Sequence, residues 1–179
     1  MITSKFEGVK IIERSNFRDL RGEFCRIFCL DLLKASGWKK SLTQVNFSST
    51  LNASTIRGMH FQYKPNTEMK LVCCIKGAIF DVVIDVRRNS KTFLHWEGYD
   101  LSKENGRSIL IPEGFAHGFQ SLDNDVEMVY FTTEKYCEDK DGGLNPLDPK
   151  LGIIWPLPIG RMSEKDMLRP YIDANFKGI

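Results

Sequence analysis

The sequence lacks the features that would assign it to several large functional classes. Its 179 residues contain no apolar run long enough to span a membrane, and the first ten residues contain no apolar signal-peptide region. The formal net charge is only +2, and the basic doublets Lys39-Lys40 and Arg87-Arg88 are isolated, so no basic patch indicates nucleic acid binding. We therefore expect a cytoplasmic protein that binds neither membrane nor nucleic acid.

The sequence also lacks a cysteine pattern typical of disulfides or zinc sites. The cysteines are odd in number, and none forms a C-x-x-C pair. Two of them are adjacent within an apolar run, and neighbouring strand residues point to opposite faces, so they cannot share a ligand. We therefore predict buried free thiols in a reducing compartment. The cysteines are Cys25, Cys29, Cys73, Cys74 and Cys137.

Strand-forming segments dominate the first three quarters of the chain. They are short, regularly spaced and separated by turn residues, which is typical of an antiparallel β-barrel or a double-sheet jelly roll. Helices are predicted from Asp31 to Ser36, with Asp31 as cap and Gly37 as stop, and at the S-E-K-D segment of residues 163–166. Strands do not alternate with helices, which argues against a doubly wound nucleotide-binding sheet. We predict one all-β domain over residues 1–179, with a few short helices.

Two predicted strand pairs carry polar residues of chemical interest. A hairpin-like return is expected to bring Arg57 and His60 on one strand close to Lys70 on the next. Residues 114–122 and 126–133 are expected to form another pair. A fixed cation, a titratable imidazole and an ammonium suit an anionic substrate that must lose a proton. The alternative is a surface arginine, a structural histidine and a solvated lysine.

Histidine is scarce, and this bears on metal binding. The three histidines are His60, His95 and His117, and none forms an H-x-H pair. A metal site would have to draw its histidines from separate strands, so we expect no metal. His95, within an aromatic stretch predicted as a strand, favours a packing role. His117 is followed by Gly118 and preceded at a distance by Gly114, and these glycines permit close approach of a ligand.

Ten short motifs occur in order along nearly the whole chain, and together they are specific although several are weak alone. The set is similar to the dTDP-4-dehydrorhamnose 3,5-epimerase family. The resemblance implies a cofactor-independent, metal-free cupin jelly roll. It also implies a homodimer with a nucleotide-diphospho-sugar substrate, dTDP-4-keto-6-deoxyglucose. The motifs are DLRGEF, QVNFSS, IRGMHFQ, KLV, FDVVIDVR, LSKEN, IPEGFAHGF, EMVYFTTEKY, DPKLGIIWP and MSEKD.

The same resemblance implies roles for individual residues. His60 matches the catalytic base and Asp166 the aspartate that pairs with it. Tyr130 matches the acid on the opposite face of the sugar ring, and Lys70 matches a lysine near the keto group. Arg21 matches a nucleotide contact that is often delivered by the partner subunit. The positions matching substrate-binding residues are Arg21, Gln44, Asn46, Arg57, His117, Tyr136, Asp141 and Lys165.

The chain departs from the family pattern at two places, and these leave alternatives open. Arg26 stands where the family commonly has an acidic residue near the nucleotide, so the identity of the nucleotide is open. Residues 143–149 lack the tryptophan that is usual in rhamnose-pathway members. Inversion at C3, at C5 or at both carbons is therefore compatible with the sequence. A 3,4-ketoisomerase, a non-catalytic sugar-nucleotide binding protein and a metal-dependent cupin oxygenase are further alternatives.

Overall fold

Two five-stranded antiparallel sheets face each other in a computed structural model that describes residues 4–179. The strands are β1 Lys10–Glu13, β2 Asn16–Asp19, β3 Gly22–Cys25, β4 Gln44–Thr50, β5 Ile56–Gln62, β6 Lys70–Lys76, β7 Ala78–Asp85, β8 Trp96–Ser102, β9 Arg107–Ile111, β10 Phe115–Ser121, β11 Val126–Thr132 and β12 Asp141–Gly143. The first sheet has the strand order β1-β9-β6-β11-β4 and the second β12-β5-β10-β7-β8, while β2 and β3 form a separate hairpin. The all-β, double-sheet prediction is confirmed. The first three residues of the predicted single domain lie outside the described residues.

The helices are few and short, as predicted. Helix α1 spans Leu30–Ser36 and ends at Gly37, whose φ of 111° is left-handed and favours glycine. The prediction of Asp31 as the cap is wrong, because the helix begins one residue earlier and Cys29 is the N-cap. Asp31 lies in the first turn, where its carboxylate stabilises the positive end of the helix. No helix among residues 4–179 is long and apolar enough to cross a membrane.

Helix α2 spans Glu164–Met167 and follows the predicted start signal. The Ser163 hydroxyl accepts a 3.1 Å hydrogen bond from the Asp166 backbone N–H. This cap fixes the first turn of α2 and holds Asp166 in place. A 3-10 turn, Glu138–Lys140, precedes the short strand β12 within a region that the sequence predicted as an ordered loop.

Apolar side chains fill the space between the sheets and also cover both outer faces. The inner cluster joins residues of both sheets, among them Val72 and Val83. The C-terminal segment packs Leu151 on the outer face of the second sheet, and α1 packs Leu33 on the outer face of the first. Central strands are therefore buried on both sides, which explains the near-continuous apolar run of β7.

The adjacent cysteines show this two-sided burial directly. Cys74 belongs to the inner cluster and Cys73 to the cluster under α1, so the two side chains point to opposite faces as predicted. Burial raises the pKa of each thiol to about 11. Both are free thiols that stay protonated at neutral pH.

The two predicted strand pairs do not exist as pairs. Strands β5 and β6 lie in different sheets, and so do β10 and β11. The chain between β5 and β6 is too long for a tight hairpin turn and crosses from one sheet to the other. The polar residues therefore meet across the space between the sheets rather than along one sheet. His95, predicted on a strand, lies just before β8.

Candidate active site

A cavity of about 660 Å³ opens between the two sheets at one end of the inner core. Strands β5 and β10 form one wall, and strands β4, β6 and β11 form the other. The structure brings together all the predicted site residues except Arg21. Those lining the cavity are Gln44, Asn46, Arg57, His60, Lys70, His117, Tyr130, Tyr136, Asp141, Lys165 and Asp166.

His60 on β5 forms a hydrogen-bonded pair with Asp166 of α2. The His60 Nε2 and Asp166 Oδ1 atoms are 2.6 Å apart, and the second carboxylate oxygen accepts a 3.3 Å bond from the Gly58 backbone N–H. Burial raises the pKa of Asp166, but the hydrogen bonds from His60, the Gly58 backbone and the Ser163 side chain outweigh it and leave that pKa below its usual value. Asp166 is therefore a carboxylate that orients the imidazole and stabilises its protonated form.

The two members of this pair differ in exposure. The Asp166 side chain is only 4% exposed, whereas the His60 side chain is 41% exposed. Among residues 4–179, His60 Nδ1 has no hydrogen-bond partner, so this nitrogen is free to act on a molecule in the cavity. The arrangement is that of a general base with an orienting carboxylate.

Tyr130 and Lys70 lie on the opposite wall, in the first sheet. Tyr130 on β11 is opposite Asn46 of β4 in the strand register, and Lys70 begins β6. Burial raises the pKa of Tyr130, the nearby Glu68 carboxylate raises it further, and the Arg57 guanidinium opposes both. Tyr130 is consequently a protonated phenol at neutral pH, as a general acid must be.

A second histidine–aspartate pair lines the same wall as the first. His117 on β10 lies directly opposite His60 in the strand register, and its Nε2 is 2.7 Å from Asp81 Oδ2 on β7. The Asp81 side chain is fully buried, its Oδ1 atom has no partner in residues 4–179, and burial raises its pKa. Sequence reasoning missed Asp81, although an aspartate within the apolar run Ile79–Val83 was an available signal.

Charged side chains at the rim of the cavity form ion pairs with Asp141. Lys165 Nζ is 2.9 Å from Asp141 Oδ2 and contacts the Tyr136 hydroxyl at 3.4 Å. Arg169, which the sequence did not suggest, also donates to Asp141. Burial raises the pKa of Asp141, but Arg169 and Lys165 together hold it below its usual value. This cluster fixes the rim residues with respect to one another.

Two arginines occupy different environments. Arg57 bridges from β5 to β4 of the other sheet, donating to the Thr50 hydroxyl at 3.1 Å and the Ser49 carbonyl at 3.0 Å. Arg21 lies at the tip of the β2–β3 hairpin, where it pairs with Asp19 at 2.6 Å outside the cavity. The exposed Arg26 follows the same hairpin and does not line the cavity either.

The part of the chain that the structure describes contains no group of three or more His, Cys, Asp or Glu side chains arranged to hold a metal ion. His95 is not among the cavity-lining residues. The chemistry that these residues can perform is proton transfer. An imidazole on one wall and a phenol on the other can remove and return a proton on opposite faces of a bound molecule.

Comparison with known proteins gives consistent matches over the full length of the fold. A family model described as dTDP-4-dehydrorhamnose 3,5-epimerase matches residues 3–173. A dTDP-4-dehydrorhamnose 3,5-epimerase of Sinorhizobium fredii is 40% identical over 163 residues, covering 90% of this chain and 84% of the relative. A dTDP-4-dehydrorhamnose 3-epimerase of Streptomyces niveus is 35% identical over 161 residues, covering 89% and 77% of the two chains.

A solved structure shares the fold as well as the sequence pattern. It is a dTDP-6-deoxy-D-glucose-3,5-epimerase of Legionella pneumophila in complex with dTDP-4-keto-L-rhamnose. The TM-score is 0.92 at 36% identity, and the match covers 99% of this chain and 96% of that one. Similarity at this level extends to the strands that carry the cavity.

Proposed function

The chain belongs to the dTDP-4-dehydrorhamnose 3,5-epimerase family and is a carbohydrate epimerase, and we propose that its substrate is a dTDP-4-keto-6-deoxyhexose. The observation that carries the proposal is the placement of the His60–Asp166 pair and of Tyr130 on opposite walls of one cavity. Binding alone does not require a base and an acid arranged in this way. The proposed reaction inverts C3, C5 or both carbons without a cofactor.

The mechanism follows from the acidity of carbons next to a ketone. The C4 keto group stabilises an anion at C3 or C5 by delocalising it onto oxygen. We propose that His60 removes the proton, while Asp166 stabilises the resulting imidazolium. The Lys70 ammonium stabilises the enolate oxygen, and Tyr130 returns a proton to the opposite face of the ring.

The remaining cavity residues are proposed to bind the sugar and the diphosphate. Arg57 and His117 supply donors for anionic oxygens, and arginine suits a diphosphate because its planar fork binds two oxygens at once. Gln44 and Asn46, on the inward face of β4, are proposed to hydrogen-bond the substrate. At the rim, Tyr136 supplies an aromatic face, and Asp141 and Lys165 supply outlying contacts.

We also propose a homodimer, and the exposed apolar side chains support it. Strand β4 is at the edge of its sheet, and its outward residues Val45 and Phe47 are 56% and 62% exposed. On the β2–β3 hairpin, the facing residues Phe17 and Phe24 are 63% and 60% exposed. Edge strands need covering, and exchange of hairpins between two copies would cover both surfaces and carry Arg21 to the partner's cavity. Light scattering should give twice the mass of one chain, and a monomer would contradict this arrangement.

A single-centre epimerase is a second candidate, favoured by the similarity to the Streptomyces niveus 3-epimerase. The same base and acid can serve one carbon or two. The distinction rests on whether the sugar presents both C3 and C5 to His60.

Deuterium incorporation tests the function and separates the two candidates. The protein is incubated with dTDP-4-keto-6-deoxyglucose in deuterated water, and the C3 and C5 proton signals are followed by NMR. We expect exchange that disappears in His60→Ala, at both carbons for a 3,5-epimerase and at one carbon for a single-centre enzyme. If the unmodified protein exchanges neither proton, the proposed function is wrong for this substrate.

A further inference from the structure

Glu68 is the cavity carboxylate that the proposed mechanism does not use. The acidic residues lining the cavity in the described part of the chain are Glu68, Asp141 and Asp166. Asp166 pairs with His60, and Asp141 is held at the rim by Lys165 and Arg169. Glu68 Oε1 instead lies 3.0 Å from Lys70 Nζ, and the two side chains are only 11% and 14% exposed.

The backbone places Glu68 and Lys70 on the same side of the chain. Met69 between them is buried in the cluster under α1. Its N–H donates to the Thr133 hydroxyl at 2.9 Å, and its carbonyl accepts from the Thr133 N–H at 3.2 Å. The segment is therefore held extended just before β6, and alternation of side chains directs Glu68 and Lys70 into the cavity together.

A carboxylate at the position of Glu68 is electrostatically unfavourable for the proposed reaction. The proposed substrate is an anionic diphosphate and its proposed intermediate is an enolate, and a nearby carboxylate repels both. The cavity also presents the cationic groups of Arg57, Lys70 and Lys165 and two histidines. A neutral glutamine would offer Lys70 a hydrogen bond without that repulsion.

Resting on the proposed function, we propose that Glu68 is a positioning residue that fixes the Lys70 ammonium and sets the electrostatic environment of Tyr130. Without Glu68, the ammonium is free to move toward the other anionic groups of the cavity. Fixing it before the substrate binds preserves its alignment with the oxygen where negative charge develops. The carboxylate also disfavours a phenolate at Tyr130 and so keeps the proton that Tyr130 must donate.

The charged groups near Tyr130 come from several strands, and each of them either favours or disfavours the phenolate. Arg57 on β5 favours the phenolate, and a protonated His60 or His117 would do the same. Tyr130 pairs with Val72 of the neighbouring strand β6, and the cationic Lys70 and then Glu68 lie two and four residues before Val72, lining the same cavity as Tyr130. Burial and Glu68 act in the opposite direction and prevail, because the pKa of Tyr130 is raised. Removing the Glu68 charge should therefore lower the pKa of Tyr130.

A spectroscopic titration tests this inference without any substrate. The phenolate absorbance of Tyr130 is isolated as the difference between a protein and its Tyr130→Phe counterpart, and it is compared with and without Glu68→Gln. We expect the Tyr130 midpoint to fall by about one pH unit in Glu68→Gln. An unchanged midpoint would overturn the inference. Glu68→Asp, which keeps the charge but shortens the side chain, should retain most of the original midpoint.

Kinetics supply a second readout that a merely structural role would not move. Glu68→Gln should reduce kcat about tenfold and shift the alkaline limb of its pH profile downward, with a smaller effect on KM. Glu127→Gln is the matched control, because Glu127 on β11 pairs at 3.4 Å with Lys76 at the other end of β6 from Lys70, outside the cavity. Glu127→Gln should change neither kcat nor the alkaline limb of its pH profile.

The two proposals fail in distinguishable ways. A protein that exchanges no proton of the sugar contradicts the proposed function, whereas the Tyr130 titration still decides the role of Glu68. An active protein whose kcat, alkaline limb and Tyr130 midpoint are all unaffected by Glu68→Gln contradicts the role of Glu68 alone.

Discussion

The two histidine–aspartate pairs of the cavity are alike in geometry and different in environment. His60 and His117 face each other across neighbouring strands, and each places Nε2 within 2.7 Å of a carboxylate oxygen. The His60 side chain is 41% exposed, whereas the His117 side chain is 13% exposed. Similar pairs on one wall thus differ in their access to a bound molecule.

The carboxylates differ even more than the imidazoles. Asp166 is buried, but its carboxylate receives hydrogen bonds from His60, the Gly58 N–H and the Ser163 side chain, so its pKa is lowered. Asp81 is buried on β7, one of its oxygens has no hydrogen-bond partner within residues 4–179, and burial raises its pKa. A satisfied carboxylate stabilises a histidine that gains a proton, as a base must. The less exposed His117, paired with Asp81, instead suits a hydrogen-bonding role toward a bound molecule.

The largest expected difference between the two pairs is in the effect of replacing each histidine. His60→Asn should lower kcat by about 10³-fold, because the general base is lost. His117→Asn should mainly raise KM, by about tenfold, because it removes one hydrogen bond to a charged substrate group. Steady-state kinetics on both variants measure the split. Equal losses of kcat would show that the two histidines do not have separate roles.

The next-largest effect is expected when each carboxylate is replaced by its neutral isostere. Asp166→Asn should reduce kcat by about 10²-fold, because the amide neither orients the imidazole as well nor stabilises its protonated form. Asp81→Asn should leave kcat within a few-fold, since its histidine is not the proposed base. The pH profile of kcat sharpens the test: its acidic limb should move in Asp166→Asn and stay in Asp81→Asn. A movement in the second variant would contradict the assignment.

The smallest expected effect is on the free energy of unfolding. Its dependence on pH has opposite signs for the two carboxylates. The folded-state pKa of Asp166 is lowered from 3.8, so its stabilisation is present above pH 3.8 and is lost as the pH falls through the folded value. Asp166→Asn should therefore lower the free energy of unfolding by about 2 kcal/mol near neutral pH. The loss should become progressively smaller as the pH falls. The folded-state pKa of Asp81 is raised, so its contribution is present below pH 3.8 and is lost as the pH rises.

Asp81→Asn should accordingly become more stable relative to the parent protein as the pH rises from 3 to 7. Denaturant unfolding of both variants and the parent across that range measures the two trends. Parallel curves for the two variants would contradict the difference in environment.

The sequence by itself determined much of this protein. Short strand-forming segments separated by turn residues indicated the all-β fold, because strand propensity and turn chemistry are local properties of the sequence. The stop at Gly37 and the cap at Ser163 were readable because both depend on local backbone geometry. Motifs in order indicated the family, and through it His60, Tyr130, Lys70 and the other site residues.

The tertiary structure decided which strands face one another. Pairing β5 with β6 was a reasonable local expectation, but the connection carries the chain to the other sheet, and that choice depends on burying both sheets around one core. Only this arrangement places His60 opposite Tyr130 and joins Asp81 to His117. Contacts between residues distant in sequence carry no local signal, because they arise from packing the whole chain.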